Sequence, residues 1–585
     1  MATVFYDVEC YVNYFYALFV SDEGRSFDFK LHNNRRTGDP AILRAILKTN
    51  KLVSFNGNAY DLPVIAGFLE GYDNVKLKRL SDFIINSDKP WALSETYPDL
   101  KWYAPNHIDL TGVTPLRQSL KAYGCRIHSP KLQDLPIEPS ATISDTDAAT
   151  LERYCRNDVE VTKQIYTHLY PQLMLRADIG RAYGTDMRSK SDVQIAEAIL
   201  RDKLKEAGVN VRRRATKVEP FKYKIPDWVS FESEALSDVL NRVKEAVFEV
   251  NNKGAVQLPE IIDQVIEFDG AKYKLGIGGL HSQEKKQVVV PNDDEYFGEY
   301  DVTSFYPSII IGQKLYPEHL TEKFVEIYEG IFDERVKAKH AKDMVTANTY
   351  KIVLNGSYGK FGSPYSFLYS PELLIQTTLT GQLSLLMLIE WMSTIGVRVT
   401  SANTDGINIL FYKAIYKKVN SVAKLWQEMT GYGLEWTKYL ATYSESVNSY
   451  IALKPDGSAK TKGLYEDGSI AKGYSAQVCN DAIVNYLSKG SPIEPHIRNE
   501  TDITKFLVMR GVTGGATWRD KKLGKIVRWY YATDGEEIRY VKNGNKVATS
   551  DGANPMMDLK PGLPDNLDYQ WYIDNTHKKL KRLGL

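Results

Sequence analysis

Glu299-Tyr300-Asp301-Val302-Thr303-Ser304-Phe305-Tyr306-Pro307-Ser308 reads as a strand that closes on a carboxylate and runs into a turn at Tyr306-Pro307. A second carboxylate stands further along, where Arg398-Val399-Thr400-Ser401-Ala402 and Ile407-Asn408-Ile409-Leu410-Phe411 flank Asn403-Thr404-Asp405-Gly406. Two alternating runs around an Asp-Gly turn predict a hairpin with Asp405 at its tip. Carboxylates at neighbouring strand ends can hold two divalent ions about 3.5–4 Å apart, one to activate an attacking hydroxyl and one to stabilise a leaving pyrophosphate. Phosphoryl transfer needs little beyond positioning and charge neutralisation.

Between these carboxylates lies Tyr350-Lys351-Ile352-Val353-Leu354-Asn355-Gly356-Ser357-Tyr358. Lys351 and Asn355 are four apart and share a helix face, with Tyr358 on a nearby face. A cation, an amide and a ring so placed can bind a triphosphate and pack against a base pair. Upstream, Arg335, Lys339 and Lys342 fall on one predicted helix face and add positive charge, although a basic stripe is also what a solvated face carries.

The N-terminus holds a second set of acids. Asp7 and Glu9 are two apart on a predicted strand, so period-2 alternation turns both to one face. Asp61 follows a strand and a turn, and Tyr154 and Asp158 are four apart on a predicted helix over 146–169. Four carboxylates and a phenol suit a two-metal hydrolytic site in which metal-bound hydroxide attacks a phosphodiester.

Composition bounds the rest. The 585 residues are 43% hydrophobic and 25% charged with a net charge of +1, which is ordinary for a multidomain globular chain. Neutral balance does not announce a nucleic-acid partner, but the distribution of charge matters more than its sum. The four cysteines, Cys10, Cys125, Cys155 and Cys479, form no C-x-x-C pair, so neither a zinc site nor a disulfide framework is expected, and a cytoplasmic, reducing location is. No uninterrupted apolar run reaches the length of a membrane span, and none is expected.

Taken in order, these segments resemble the motifs of family B DNA polymerases that carry a proofreading 3′-5′ exonuclease. DVTSFYPS resembles D-x-x-S-L-Y-P-S, KIVLNGSYG resembles K-x-x-x-N-S-x-Y-G, and NTDG resembles D-T-D-S. The N-terminal segments resemble the exonuclease motifs D-x-E, N-x-x-x-(F/Y)-D and Y-x-x-x-D. The resemblance implies Asp301, Val302 and Asp405 as the metal set of the polymerase site. It implies Tyr306 as the gate against a ribose 2′-hydroxyl and Lys351 as a triphosphate contact, beside Asn355, Tyr358, Arg335 and Lys339. For the exonuclease it implies Asp7, Glu9, Asp61 and Asp158 as metal ligands, Tyr154 orienting water, and Asn56 and Tyr60 handling the primer end. Lys131 lies where some relatives carry a catalytic lysine. The departures are Gly356 for Ser, Asn403 for the first Asp of D-T-D, and Gly406 for its Ser.

DNA contacts are implied at Gly278 and Gly279, which resemble the family's Y-x-G-G loop with Gly276 in the tyrosine position; an ordinary glycine turn would read the same. Tyr450 resembles the tyrosine of K-x-Y, with Asn448 in the lysine position and Lys460 and Lys462 as substitutes on the primer backbone. Lys521, Lys522, Lys525 and Arg528, beside Trp529 and Tyr530, together with Lys578, Lys579, Lys581 and Arg582, suit a thumb gripping phosphates or a solvated face.

The fold class expected is therefore α/β and α+β multidomain: a ribonuclease H-like exonuclease domain over 1–180, a connecting segment over 181–270, then a right-hand polymerase. Its palm occupies 271–316 and 359–450, its fingers 317–358, and a thumb and C-terminal DNA-binding region 451–585. Two divalent ions (Mg2+ or Mn2+) at each site, primer-template DNA, dNTPs and a monomeric state are implied. A small phage- or plasmid-encoded member would add helicase or other replication proteins as partners and the bacterial host cytoplasm as location. Protein-primed members carry insertions between the polymerase motifs; 50 residues from Asp301 to Lys351 and 54 from there to Asp405 leave room for two helices, so a nucleic-acid primer is expected. The alternatives are a stand-alone exonuclease with a DNA-binding C-terminal half, a single-strand binding protein, and an RNA polymerase or reverse transcriptase.

Overall fold

The computed structural model describes residues 2–87, 92–102 and 104–585. The chain divides into two compact units. The first comprises Met1–Ser191, Asp467–Cys479 and Ile497–Ile573; the second comprises Asp192–Glu466, Asn480–His496 and Asp574–Leu585. Residues 451–585, expected as one region, are thus shared between the two.

The first unit is built on a six-stranded sheet. Thr3–Cys10 pairs antiparallel with Tyr14–Ser21 on one side and parallel with Lys51–Ser54 on the other. Strand alternation then sorts the side chains. Val4, Tyr6, Val8 and Cys10 join a core with Leu43, Leu62 and Phe68, whereas Phe5 packs in a second core with Leu151, Cys155 and Val159 of the helix Asp145–His168. Asp7 and Glu9 share the Phe5 face, as their spacing predicts. The Asp145–His168 helix is fixed at its start by a capping box between Ser144 and Asp147.

The same unit contains the long hairpin Val508–Trp518 and Lys521–Glu536. Its turn residues Arg519 and Asp520 both have positive φ, 44° and 62°, as a two-residue type I′ turn requires. Here one sequence expectation fails. Arg528 is fully buried, not phosphate-facing. Its guanidinium donates to the carbonyls of Ser129 (2.9 Å), Met556 (2.8 Å) and Met557 (3.2 Å). Trp529 is equally buried.

The second unit is organised by an antiparallel seven-stranded sheet, in which Glu295–Val302 lies between Gly406–Tyr412 and Leu434–Lys438. The helix Pro371–Thr394 is long and apolar enough to cross a membrane, but 83% of its apolar window is buried inside the protein, so it serves as a core helix. Lys323–His340 and Met344–Tyr358 form a helical pair, and Asp192–Glu206 packs on the second of them. That packing explains Gly356: a Cβ there would lie 3.1 Å from the Ala196 Cβ.

Two local expectations are corrected. Tyr306-Pro307 is not in a turn but in the first turn of a helix, Phe305–Gly312, where proline's missing N–H is harmless. Lys342 does not share a helix face with Arg335 and Lys339, because the helix ends at His340 and Lys342 itself is left-handed, φ 59°.

Candidate active sites

In the second unit the strand Glu295–Val302 and the hairpin Arg398–Asn403/Gly406–Tyr412 bring Asp301 and Asp405 together. Asp301 is directly opposite Gly406, and the Val302 amide donates to the Asp405 carbonyl at 2.7 Å. Thr404 sits at the tip with φ 60°, a left-handed conformation that a β-branched residue rarely adopts. It is held there by its amide, which donates to Leu280 O at 2.7 Å. Strain of this kind persists only when the surroundings enforce it.

The carboxylates line a cavity of about 320 Å³ with Glu299, Asn403, Tyr450, Lys460 and Lys462. Burial, then Asp405 and Glu299, push the Asp301 carboxyl up to about 6. Burial also raises Asp405, with Glu299 adding to it and Lys460 and Lys462 opposing it. Asp301 and Asp405, both raised and neither ion-paired to a lysine among the described residues, are a donor pair that fits a divalent cation.

Glu299, which sequence reading missed, is two residues before Asp301 on the same strand face. It accepts from Tyr439 Oη and from Lys460 Nζ at 2.8 and 3.0 Å. Lys460, expected on a primer phosphate, is therefore engaged by a carboxylate. Burial disfavours its charge, but Glu299 outweighs burial and raises its pKa. Lys462 carries no such partner among the described residues and is lowered, chiefly by burial.

Tyr306 stacks on Tyr358 with ring centres 4.2 Å apart, and its hydroxyl donates to the Gly278 carbonyl. The glycine loop is thereby tied to the site. A Cβ at Gly279 would meet Thr404 Cγ2 at 3.0 Å, so glycine here lets the loop lie close against the hairpin tip. Gln382, a second missed residue, brackets Gly276 by accepting from its N–H and donating to its carbonyl, both at 2.8 Å. Lys351, Asn355 and Lys339 are exposed, while Arg335 donates to Ser304 Oγ at 3.1 Å.

In the first unit, ligand atoms of Asp7, Glu9 and Cys155 lie within 4.8 Å of one another. Burial, then Asp158, push Asp7 up to about 7, with Lys121 opposing. Glu9 and Asp61 are held well above the usual carboxylate range, first by burial and next by Asp7. Asp158 is raised by burial despite its ion pair with Lys121. These four acids interact as one group with a single lysine among them, a donor set that fits divalent cations. Lys121 also lies 4.2 Å from the centre of the Tyr154 ring. Lys131, the lysine expected from the sequence, forms a backbone bridge to Asp558.

Asn56 is exposed in left-handed conformation, φ 68°, and Tyr60 is tied to Ser81 at 2.8 Å. The turn that delivers Asp61 is braced by Asp109, which the sequence reading overlooked. Its carboxylate accepts from the amides of Asn56 at 2.9 Å and Asn58 at 3.0 Å. Beside it, His107 Nδ1 meets Asn58 Oδ1 at 3.0 Å, and burial pushes the imidazole down to about 4.

The sequence matches no model of a known protein family. It is 25% identical over 122 residues to DNA polymerase 1 of Sulfurisphaera ohwakuensis, a stretch that is 20% of this chain and spans only 14% of that relative's length. Among solved structures it is similar to the family B DNA polymerase from the hyperthermophilic archaeon Pyrobaculum calidifontis, with a TM-score of 0.42 and 14% identity over 100% of this chain and 78% of that one.

Proposed function

We propose that this chain is a template-directed DNA polymerase of family B type that edits its product with a 3′-5′ exonuclease. The observation that carries this reading is the presence of two separate sets of interacting carboxylates, one in each unit: Asp7 with Glu9, Asp61 and Asp158, largely buried, and Asp301 with Asp405, partly accessible. A binding protein has no use for acids gathered so that they raise one another's pKa, because like charges held together cost stability.

In the polymerase site Asp301, Asp405 and the backbone of Val302 would hold divalent ions, Mg2+ or Mn2+. Such ions lower the pKa of a primer 3′-hydroxyl and neutralise a triphosphate. Tyr306, stacked on Tyr358, would exclude a ribose 2′-hydroxyl. Lys351, Asn355, Lys339 and Arg335 would bind the triphosphate, and Gly278, Tyr450 and Lys462 would approach DNA. In the editing site Asp7, Glu9, Asp61 and Asp158 would hold the ions, Tyr154 and Lys121 would position water, and Asn56 and Tyr60 would grip the frayed primer end.

The reading extends to a nucleic-acid primer, a ribonuclease H-like editing domain, palm and fingers around Asp301 and Asp405, and a monomer replicating a phage or plasmid genome in the host cytoplasm. Primer extension with and without dNTPs is the test. Asp301→Ala is expected to abolish extension and leave degradation of a mismatched 3′ end intact. Asp7→Ala combined with Asp61→Ala is expected to do the reverse. Degradation without any extension by the unaltered chain would establish the stand-alone exonuclease instead.

A further inference from the structure

The mechanism leaves unused a cavity of about 740 Å³ in the first unit. This is within the range of about 300–1,000 Å³ that small-ligand sites occupy. Trp518 and Tyr530 contribute aromatic walls, Asn554 an amide, and Lys521 and Lys560 its cations, with Asp558 the one carboxylate in the lining.

Both rings are held in place. Trp518 Nε1 donates to the carbonyls of Ala553 at 3.1 Å and Glu536 at 3.3 Å, and the Arg519 guanidinium lies 4.4 Å from the ring centre. Arg519 is fixed in turn by Glu536 Oε1 at 2.8 Å. The Tyr530 hydroxyl donates to Asn566 Oδ1 at 2.8 Å. Rings that do not reorganise on binding are effective stacking platforms.

Charge supplies the second observation. Lys521, Lys522, Lys525 and Lys560 are exposed and make no ion pair among the described residues. A fixed, half-buried indole beside unpaired lysines is the chemistry of single-stranded nucleic acid, in which a base stacks while its phosphates meet cations.

We infer that this cavity binds an unpaired nucleotide of single-stranded DNA, with the base against Trp518 and the backbone along Lys521 and Lys560. The inference concerns a surface remote in sequence from Asp301 and Asp405 and does not rest on the polymerase reading.

The test uses the full chain and an oligothymidylate carrying one photoreactive 5-iododeoxyuridine. Cross-links are expected on peptides spanning residues 518–530 or 554–564. Trp518→Ala is expected to weaken oligothymidylate binding roughly tenfold, and Trp518→Phe, which keeps a stacking face, by much less. Lys521→Gln with Lys560→Gln, which leaves the aromatic walls in place, is expected to flatten the salt dependence of binding by about one to two in log–log slope. Cross-links confined to other peptides, or an unchanged salt slope in the double lysine variant, would overturn the assignment. Both readouts are independent of primer extension, so they stand or fall separately from the proposed activity.

Discussion

Asn403 donates from its side-chain amide to the Asn448 side-chain oxygen at 3.3 Å and to the Val447 carbonyl at 3.2 Å. The hairpin tip that carries Asp405 is thereby tied to the turn between Ala441–Ser446 and Ser449–Leu453. Both partners sit at positions where the resembled motifs carry charge, an acid at 403 and a lysine at 448. The two departures are therefore one feature: a neutral amide pair joins the same two elements.

Asn403→Asp would set a carboxylate against two acceptors. Expected is a loss of about 1–3 kcal/mol from unpaired polar groups, with slower primer extension. Adding Asn448→Lys returns a donor, so the double variant should recover by about 1 kcal/mol or more beyond additivity. A double-mutant cycle on the denaturation midpoint and the extension rate measures this, and simple additivity in both would refute the coupling.

The titration of the acids gives a second expectation. An aspartate in an unfolded chain titrates near 4. Asp301 is raised to about 6 and Asp7 to about 7, both chiefly by burial. Between those values the folded state holds more protons than the unfolded state, so these groups make the metal-free protein less stable as pH rises from about 4 to 7. Divalent ions compete with those protons. Magnesium should therefore raise the melting temperature more at about pH 7.5 than at about pH 5, and the difference should shrink in Asp7→Ala. Melting curves with chelator and with excess magnesium check both points.

How much of this was legible in the sequence follows from what each feature depends on. Asp7 and Glu9 share a face because of strand period alone, so that could be read directly. Asp405 does reach the hairpin tip, but the turn is Thr404-Asp405 with Thr404, not Gly406, left-handed, and the Leu280 carbonyl that holds it comes from a distant segment. Lys121 could not be read directly, because its pairing with Asp158 depends on how the helix Leu120–Arg126 packs against Asp145–His168. Arg528 misled for the same reason. In the sequence it belongs to a basic cluster, and only the carbonyls of Ser129, Met556 and Met557, gathered from distant segments, make its burial tolerable. Glu299 was hidden by its neighbour: beside Asp301 it reads as one more strand-end acid until Lys460 and Tyr439 are seen on it.

Asp109 offers a test of positioning without contact to the reacting atoms. Its two oxygens receive the amides of Asn56 and Asn58 and so fix the turn that ends at Asp61. Asp109→Asn replaces one acceptor by a donor that faces a backbone N–H. Expected is a fall of roughly 10–100-fold in degradation of a mismatched 3′ end, as for other residues that orient metal ligands, with primer extension unchanged. A magnesium titration of the nuclease should show the half-saturating concentration rising. Loss of extension as well would indicate general unfolding and count against a local role.

Gly406 is the departure whose consequence can be argued most directly. A Cβ at this position would lie 2.9 Å from the Tyr300 carbonyl oxygen and 3.3 Å from Asp301 Oδ1. The first contact is with backbone, which cannot swing aside as a side-chain end can. Because residue 406 is paired with Asp301 across the sheet, relief must come from shifting the strand that carries that carboxylate. Gly406→Ser restores the residue of the resembled motif, yet in this chain it should slow primer extension by roughly tenfold or more, the cost of displacing the carboxylate proposed to act in catalysis by a fraction of an ångström. Gly406→Ala should do the same, which assigns the loss to the Cβ and not to the hydroxyl. Degradation by the proposed editing site, built on other strands, provides the internal control. Full extension activity in Gly406→Ala would mean that the sheet yields at this point without moving Asp301.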